Sequence, residues 1–296
     1  MASDTRARSV FTPTSHGRRL KQAMFAGLAV AALAMAMVPL AAVFGYIFAN
    51  GIRSLGSIDF LLQDPPSDLS ASGGGVRNAL LGTIEMTALA TVIEVPVALG
   101  VAVFAVEVGG GLARAARFLI DVLAGLPSIV VGIFVYTTVV VTQGHFSGFA
   151  GSLAIAIVML PVVTVSAEEM LRLTPRPIAE GARALGLARW RAILSVFIPI
   201  GFSGIVTGVI LGVSRAIGET APLIFTALGN NFFTADLNEP MQALPLLIYR
   251  NALNSAYEAA RDRAFGAALL LILIVFALNL LGRWLTARRR LAGSRP

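Results

Sequence analysis

Cysteine is absent from the 296 residues, and lysine occurs once, as Lys21. Without cysteine there is no disulfide framework, no thiolate metal site and no thiol nucleophile. A phosphate-binding P-loop needs Gly-Lys-Ser/Thr, and the lone Lys21 stands between Leu20 and Gln22, so that nucleotide-binding motif is excluded. Histidine is nearly as scarce: His16 lies in a polar N-terminal stretch and His145 between two apolar runs. Neither supplies the intramembrane dyad or catalytic histidine that a membrane protease or lipid phosphatase would use. Charge is thin as well, at 13% of residues against 56% hydrophobic. A soluble domain carries about twice that charged fraction, so the composition is that of an integral membrane protein. Nothing in the residue pattern calls for a metal or a cofactor.

What is present is a series of long apolar runs. The first, roughly Ala23 to Ala49, is longer than the h-region of about 7–15 residues in a secretory signal, and reads as a retained span. Five more follow at about Leu80–Val106, Phe118–Val141, Gly151–Leu171, Val196–Ile217 and Phe265–Leu285, each near the ~20 residues a helical span requires. Six spans put both ends of the chain on one side. On that side lie seventeen basic residues, in the tail, around Arg114 and Arg117, between Arg172 and Arg191, and after the last span. The other side holds five, at Arg53, Arg77, Arg250, Arg261 and Arg263. The positive-inside rule therefore predicts cytoplasmic termini. Because the arginines sit at membrane boundaries and not in one basic domain, the net charge of +7 points to topology and not to nucleic acid. The external segment from Gly218 to Asp262 alternates apolar and charged stretches and predicts a partly re-entrant or surface helix. Pro96, Pro127 and Pro161 predict kinks in their spans.

Two stretches carry functional weight. In the loop before the fifth span, Thr174-Pro175 reads as an N-cap followed by proline at the first helical position. Gly186 can supply the left-handed turn that ends such a helix, with a second helix from about Leu187. Taken alone, this is an ordinary loop between helices. At the end of the fifth span, Arg215 and Glu219 stand four apart, the spacing of a pair on one helix face. A charge at the centre of a membrane helix costs roughly 2.5–3.5 kcal/mol on insertion scales, so each needs a partner. Arg215 lies seven residues from Gly208, within ~20° of it around the helix. The Gly204, Gly208, Gly212 ridge is of the kind that lets helices approach closely, so Arg215 is predicted to face protein or a cavity. Two readings stay open: a structural salt bridge, or a fixed cation on an anion path with Glu219 holding and partly neutralising it. Glu85 and Glu94, nine residues apart, fall on opposite faces of one helix and pair, if at all, with neighbouring helices. Asp121 reads as a solvated boundary charge.

The spacing Glu180, Ala182, Gly186, Val196, Ile198, Pro199 resembles the EAA loop of ATP-binding-cassette importer permeases. Gly181 replaces the alanine the family prefers there, and Val196 and Ile198 replace isoleucine and leucine. The run Arg215-Ala-Ile-Gly-Glu-Thr-Ala-Pro222 resembles the phosphate-specific branch of that family, and so does Glu168-Glu-Met-Leu-Arg-Leu173. Val165 stands where some relatives have an arginine. The resemblance runs from about Arg77 to Trp284. It implies an all-α, polytopic membrane fold of six helices, the type I importer transmembrane domain. The implied layout is a flexible cytoplasmic tail over 1–20 and a permease domain over 21–296, with its core at about 77–285 and a coupling loop at about 172–195. It further implies transport of inorganic phosphate across a prokaryotic inner membrane. The partners implied are a second related permease, a cytoplasmic ATPase dimer that hydrolyses the ATP, and an external phosphate-binding protein. Glu180, Gly181, Ala182, Gly186 and Pro199 would then serve ATPase coupling, within a segment from Ile178 to Arg191, and Arg215, Glu219 and Glu168 the substrate path. The coupling loop itself does not separate phosphate from phosphonate, sulfate or molybdate, and a non-transporting, phosphate-sensing subunit would look the same.

Overall fold

The computed structural model describes residues 16–67, 73–174, 177–178, 181, 184, 186–254 and 256–292, with backbone only at 16, 189 and 286–292. The predicted tail over 1–20 therefore falls mostly outside the described residues, and helix α1 begins within it, at His16–Leu55. Among the described residues, those up to Ala49 belong to a unit of their own, an apolar helical rod whose side chains are nearly all exposed. From Asn50 onward the chain is one compact helical unit.

That unit holds, after the end of α1, α2 (Asp59–Leu62), α3 (Arg77–Glu107), α4 (Gly110–Gly125), α5 (Ser128–Val135), α6 (Val141–Gln143) and α7 (Gly148–Arg172). Then come α8 (Arg189–Ala192), α9 (Ile198–Ala216), α10 (Ala221–Thr226), α11 (Leu244–Leu253) and α12 (Glu258–Ala292). Among the described residues, α1, α3, α7, α8 with α9, and α12 are each long and apolar enough to cross a membrane. The third predicted span, Phe118–Val141, is not a kinked helix but two arms, α4 and α5–α6, bent by 105°. The cause is local. Pro127 pushes Leu126 out of the helical region, to ψ 135°, and Pro127 itself is extended at ψ 134°. Pro96 and Pro161, by contrast, stay inside α3 and α7.

Helix α7 is the centre of the unit, with well over half of its most apolar stretch buried. It packs most extensively on α3 and α9. Lipid is as apolar as a leucine side chain, so helices associate here through close approach and not through water exclusion. The glycine ridge predicted on the fifth span does this work. A Cβ at Gly212 would sit 2.8 Å from Val163 Cγ2, and Gly204 and Gly208 press on Met170 and Ser166 of α7 in the same way. Gly212→Val should therefore force α9 off α7, at about 1–3 kcal/mol for overpacking. The check is the melting temperature of the detergent-solubilised protein; an unchanged value would refute the ridge.

A π-turn over Ile193–Phe197 joins α8 to α9. It falls where Pro199 lacks an N–H and its ring would crowd the carbonyl of Ser195, a clash the wider turn relieves. At the far end of α9 the helix stops at Ala216, and Pro222 stands in the first turn of α10, where its missing N–H costs no helical bond. The helix predicted in the Gly218–Asp262 segment is α11. It is wedged inward: Leu244 and Leu247 pack with Phe60, Val76, Ala79 and Ala267. Arg263, 3% exposed, secures the same end by donating to Asn251 Oδ1 at 3.4 Å and to the Gly73 carbonyl at 3.1 Å. Arg77 holds Asp64 there with two hydrogen bonds of 3.0 and 2.7 Å.

Candidate functional site

The 105° break opens a cavity of about 300 Å³ between the two arms, α7 and α9. Leu126 and Ser128 line it from the break, Pro161, Val165 and Ser166 from α7, and Arg215 from the last turn of α9. Arg215 is its one charged lining residue. The prediction that Arg215 faces a cavity thus holds, and the geometry follows from the ridge: Gly208 and Gly212 meet α7, and Arg215 continues that stripe by one turn.

Glu219 departs from the one-face helical pairing. It lies in the turn beyond α9, with Arg215 Nε 3.7 Å from its Oε1. The side chain of Arg215 is 60% exposed and that of Glu219 16%, so the carboxylate is the anchored member and the guanidinium the free-reaching one. At 3.7 Å this is an ion pair without a close hydrogen bond. It leaves most of the guanidinium's donors open.

Glu168 stands elsewhere. It is buried, accepts from Arg172 Nε at 2.8 Å, and also pairs with Arg117 of α4. Sequence reasoning treated Arg117 and Arg172 only as topological charges; the structure makes them a tie between α4 and α7 across Glu168. A second cavity, of about 230 Å³, is lined by Arg117, Asp121, Val165, Glu168, Glu169 and Arg172 among others. Asp121, expected to be a solvated boundary charge, is exposed and also borders this cavity. Val165 lines both cavities, so the Arg215 station and the Arg117–Glu168–Arg172 station share an apolar wall residue. The signal that could have found this is on α7: Val158, Val162, Val165, Glu169 and Arg172 recur at helical spacing along one face.

A larger hollow of about 760 Å³ lies at the Arg77 end of the bundle, lined by Asp59, Glu258, Asp262 and Arg263 among others. Its three carboxylates outweigh an Arg263 already committed to Asn251 and Gly73, so it disfavours anions.

Of the coupling positions, Glu180 and Ala182 lie outside the described residues. Gly181 is helical and exposed, Gly186 has φ +70°, and Pro199 lies in the first turn of α9. The left-handed turn predicted at Gly186 is thus present. Glu94, expected to pair across helices if at all, is 2% exposed in α3 and neither carboxyl oxygen has a hydrogen-bond partner among the described residues.

Residues 94–290 match the sequence profile described as "Binding-protein-dependent transport system inner membrane component". This chain belongs to that family. As an inner membrane component it is a transport subunit and a multi-pass membrane protein. It is 39% identical over 243 residues to the "Phosphate transport system permease protein PstA" of Yersinia pestis, covering 81% of each chain. It is 38% identical over 289 residues to the protein of the same description from Mycobacterium leprae, covering 95% of this chain and 94% of that one. Among solved structures, it superposes on the MetNI methionine ABC transporter with a TM-score of 0.61 at 17% identity, covering 72% of this chain and 94% of that chain. A bacterial alginate ABC transporter in complex with its periplasmic protein gives 0.60 at 13% identity, covering 91% and 98%. At such identities the structural likeness speaks for fold alone. The fold of this inner membrane component is the all-α transmembrane domain of a type I ABC importer, as its sequence predicted.

Proposed function

We propose that this chain is a permease subunit of an ATP-driven importer of inorganic phosphate. The observation that carries the reading is the extended identity with phosphate transport system permeases, 36–39% over most of the chain. The site supports it. A single arginine in an otherwise neutral cavity, offset by a carboxylate at 3.7 Å, attracts an anion without trapping it. The chain lacks a P-loop, so the ATP is hydrolysed by a partner dimer. The segment Ile178–Arg191 docks on that dimer, with Glu180, Gly181, Ala182 and Gly186 shaping the docking helix and its bend and Pro199 setting the entry into the fifth span. Both termini are cytoplasmic, from the distribution of arginines. Phosphate arrives on an external binding protein, crosses between this chain and a second permease, and passes Arg215 and Glu219.

The decisive experiment is ATP hydrolysis by the assembled complex in proteoliposomes, given binding protein loaded with phosphate or with sulfate. Stimulation by the phosphate-loaded form alone is the expected result. Stimulation by sulfate instead, or by neither with the complex intact, would refute it.

A further inference from the structure

Helical serine and threonine hydroxyls in this chain are mostly committed to backbone. Thr83, Thr91, Ser152, Thr207 and Thr226 each donate to the carbonyl four residues earlier, at 2.7–2.8 Å. Ser128 and Ser166 make no such bond among the described residues, and both line the cavity that holds the Arg215 guanidinium. Each has a structural reason. Ser128 is the first residue of α5, so the carbonyl four residues back belongs to α4, the other arm of the 105° break. Ser166 lies on α7 against Gly208, where a Cβ would come 3.0 Å from its Oγ, so the small residue on α9 is what leaves this hydroxyl room.

We infer that Ser128 and Ser166, with Arg215, form a subsite that holds a tetrahedral oxyanion in the middle of the path. The inference deepens the phosphate-importer reading and rests on it. The three groups divide the task. Arg215 supplies the charge and several fixed N–H donors. The two hydroxyls supply neutral donors that replace water lost on entering the membrane, and they add no charge that would hold the anion. The other lining side chains, Val131, Val158, Val162 and Val165 among them, are apolar and offer nothing to compete. At ~30 Å³ per water the cavity holds roughly ten waters, enough room for an oxyanion with part of its shell. Binding is therefore firm enough to select an anion and weak enough to release it.

The native chain contains no cysteine, so Ser128→Cys and Ser166→Cys each introduce a unique reporter thiol. In the assembled complex, a charged methanethiosulfonate reagent should modify both, read on this chain by mass spectrometry. Phosphate should slow the reaction roughly tenfold at about ten times its dissociation constant. Thiols that do not react, or whose reaction phosphate leaves unchanged, overturn the subsite. In parallel, the Ser128→Ala, Ser166→Ala double variant should lose about tenfold in phosphate flux, the value of a net hydrogen bond or two. Recovery of the assembled complex by size exclusion checks that the variant folds; undiminished flux overturns the assignment. Failure of the underlying reading looks different. The wild-type complex would then ignore phosphate, and protection of the same thiols by sulfate would assign the subsite to that anion.

Discussion

Replacing Arg215 with alanine should lower phosphate uptake about a hundredfold or more and leave the complex assembled. The transported anion must leave water for a cavity whose lining carries one formal charge. Hydrogen bonds to a charged group contribute about 1.5–3 kcal/mol each, and about 2.7 kcal/mol is a factor of a hundred. Assembly should survive because the guanidinium does not hold α9 in place. Its side chain is 60% exposed, its distance to Glu219 is 3.7 Å, and the α7–α9 seam is made instead by Gly208 and Gly212 against Ser166 and Val163. Arg215→Lys should fall between the two, keeping the charge but losing the planar set of donors. Uptake into proteoliposomes and recovery of the complex by size exclusion measure the two effects separately. If the alanine variant fails to assemble, the salt bridge is structural and the anion path lies elsewhere.

The spans were legible because membrane helices write their length directly in apolar residues, and both the ends and the glycine seam of the fifth span fall where the pattern places them. The break at Pro127 was not. A proline inside an apolar run usually kinks a membrane helix whose freed carbonyls neighbours can satisfy, and the sequence of α3 and α7 shows the same residue doing no more than that. What differs at Leu126–Pro127 is the preceding Gly125, which ends α4 with Leu126 N–H bonded to the Leu123 carbonyl. The site suffered from the same blindness. Arg215 stood out because it is a charge inside a span, whereas Ser128, Ser166 and Val165 are unremarkable residues whose meaning comes only from the cavity they share. Arg117 was hidden by its position at a membrane boundary, where a charge needs no further reason to exist. The expected Arg215–Glu219 pair is present, but Glu219 lies three residues beyond the end of α9 at Ala216, so the pair spans the helix end and not one helical face.

Gly186→Val should abolish phosphate-driven stimulation of the ATPase while Gly186→Asn preserves most of it. Gly186 has φ +70°, in the left-handed region. Glycine enters it without penalty and asparagine tolerates it, but a β-branched side chain there is a genuine outlier. Holding a residue in such a region costs on the order of 1–3 kcal/mol, enough to deplete the native bend by roughly tenfold or more. Among the described residues, a Cβ at this position would meet no other atom within 4 Å, so the penalty is one of backbone and not of crowding. That is what makes the pair of variants informative, since asparagine and valine are both larger than glycine and differ chiefly in tolerance of positive φ. Gly186 stands at the bend between the proposed docking segment and α8, which runs through the π-turn into the fifth span and so to Arg215. Losing the angle should disconnect ATPase closure from the cavity, with basal hydrolysis retained and phosphate transport lost. Equal behaviour of the two variants would mean that the turn at Gly186 is not the hinge through which the ATPase acts.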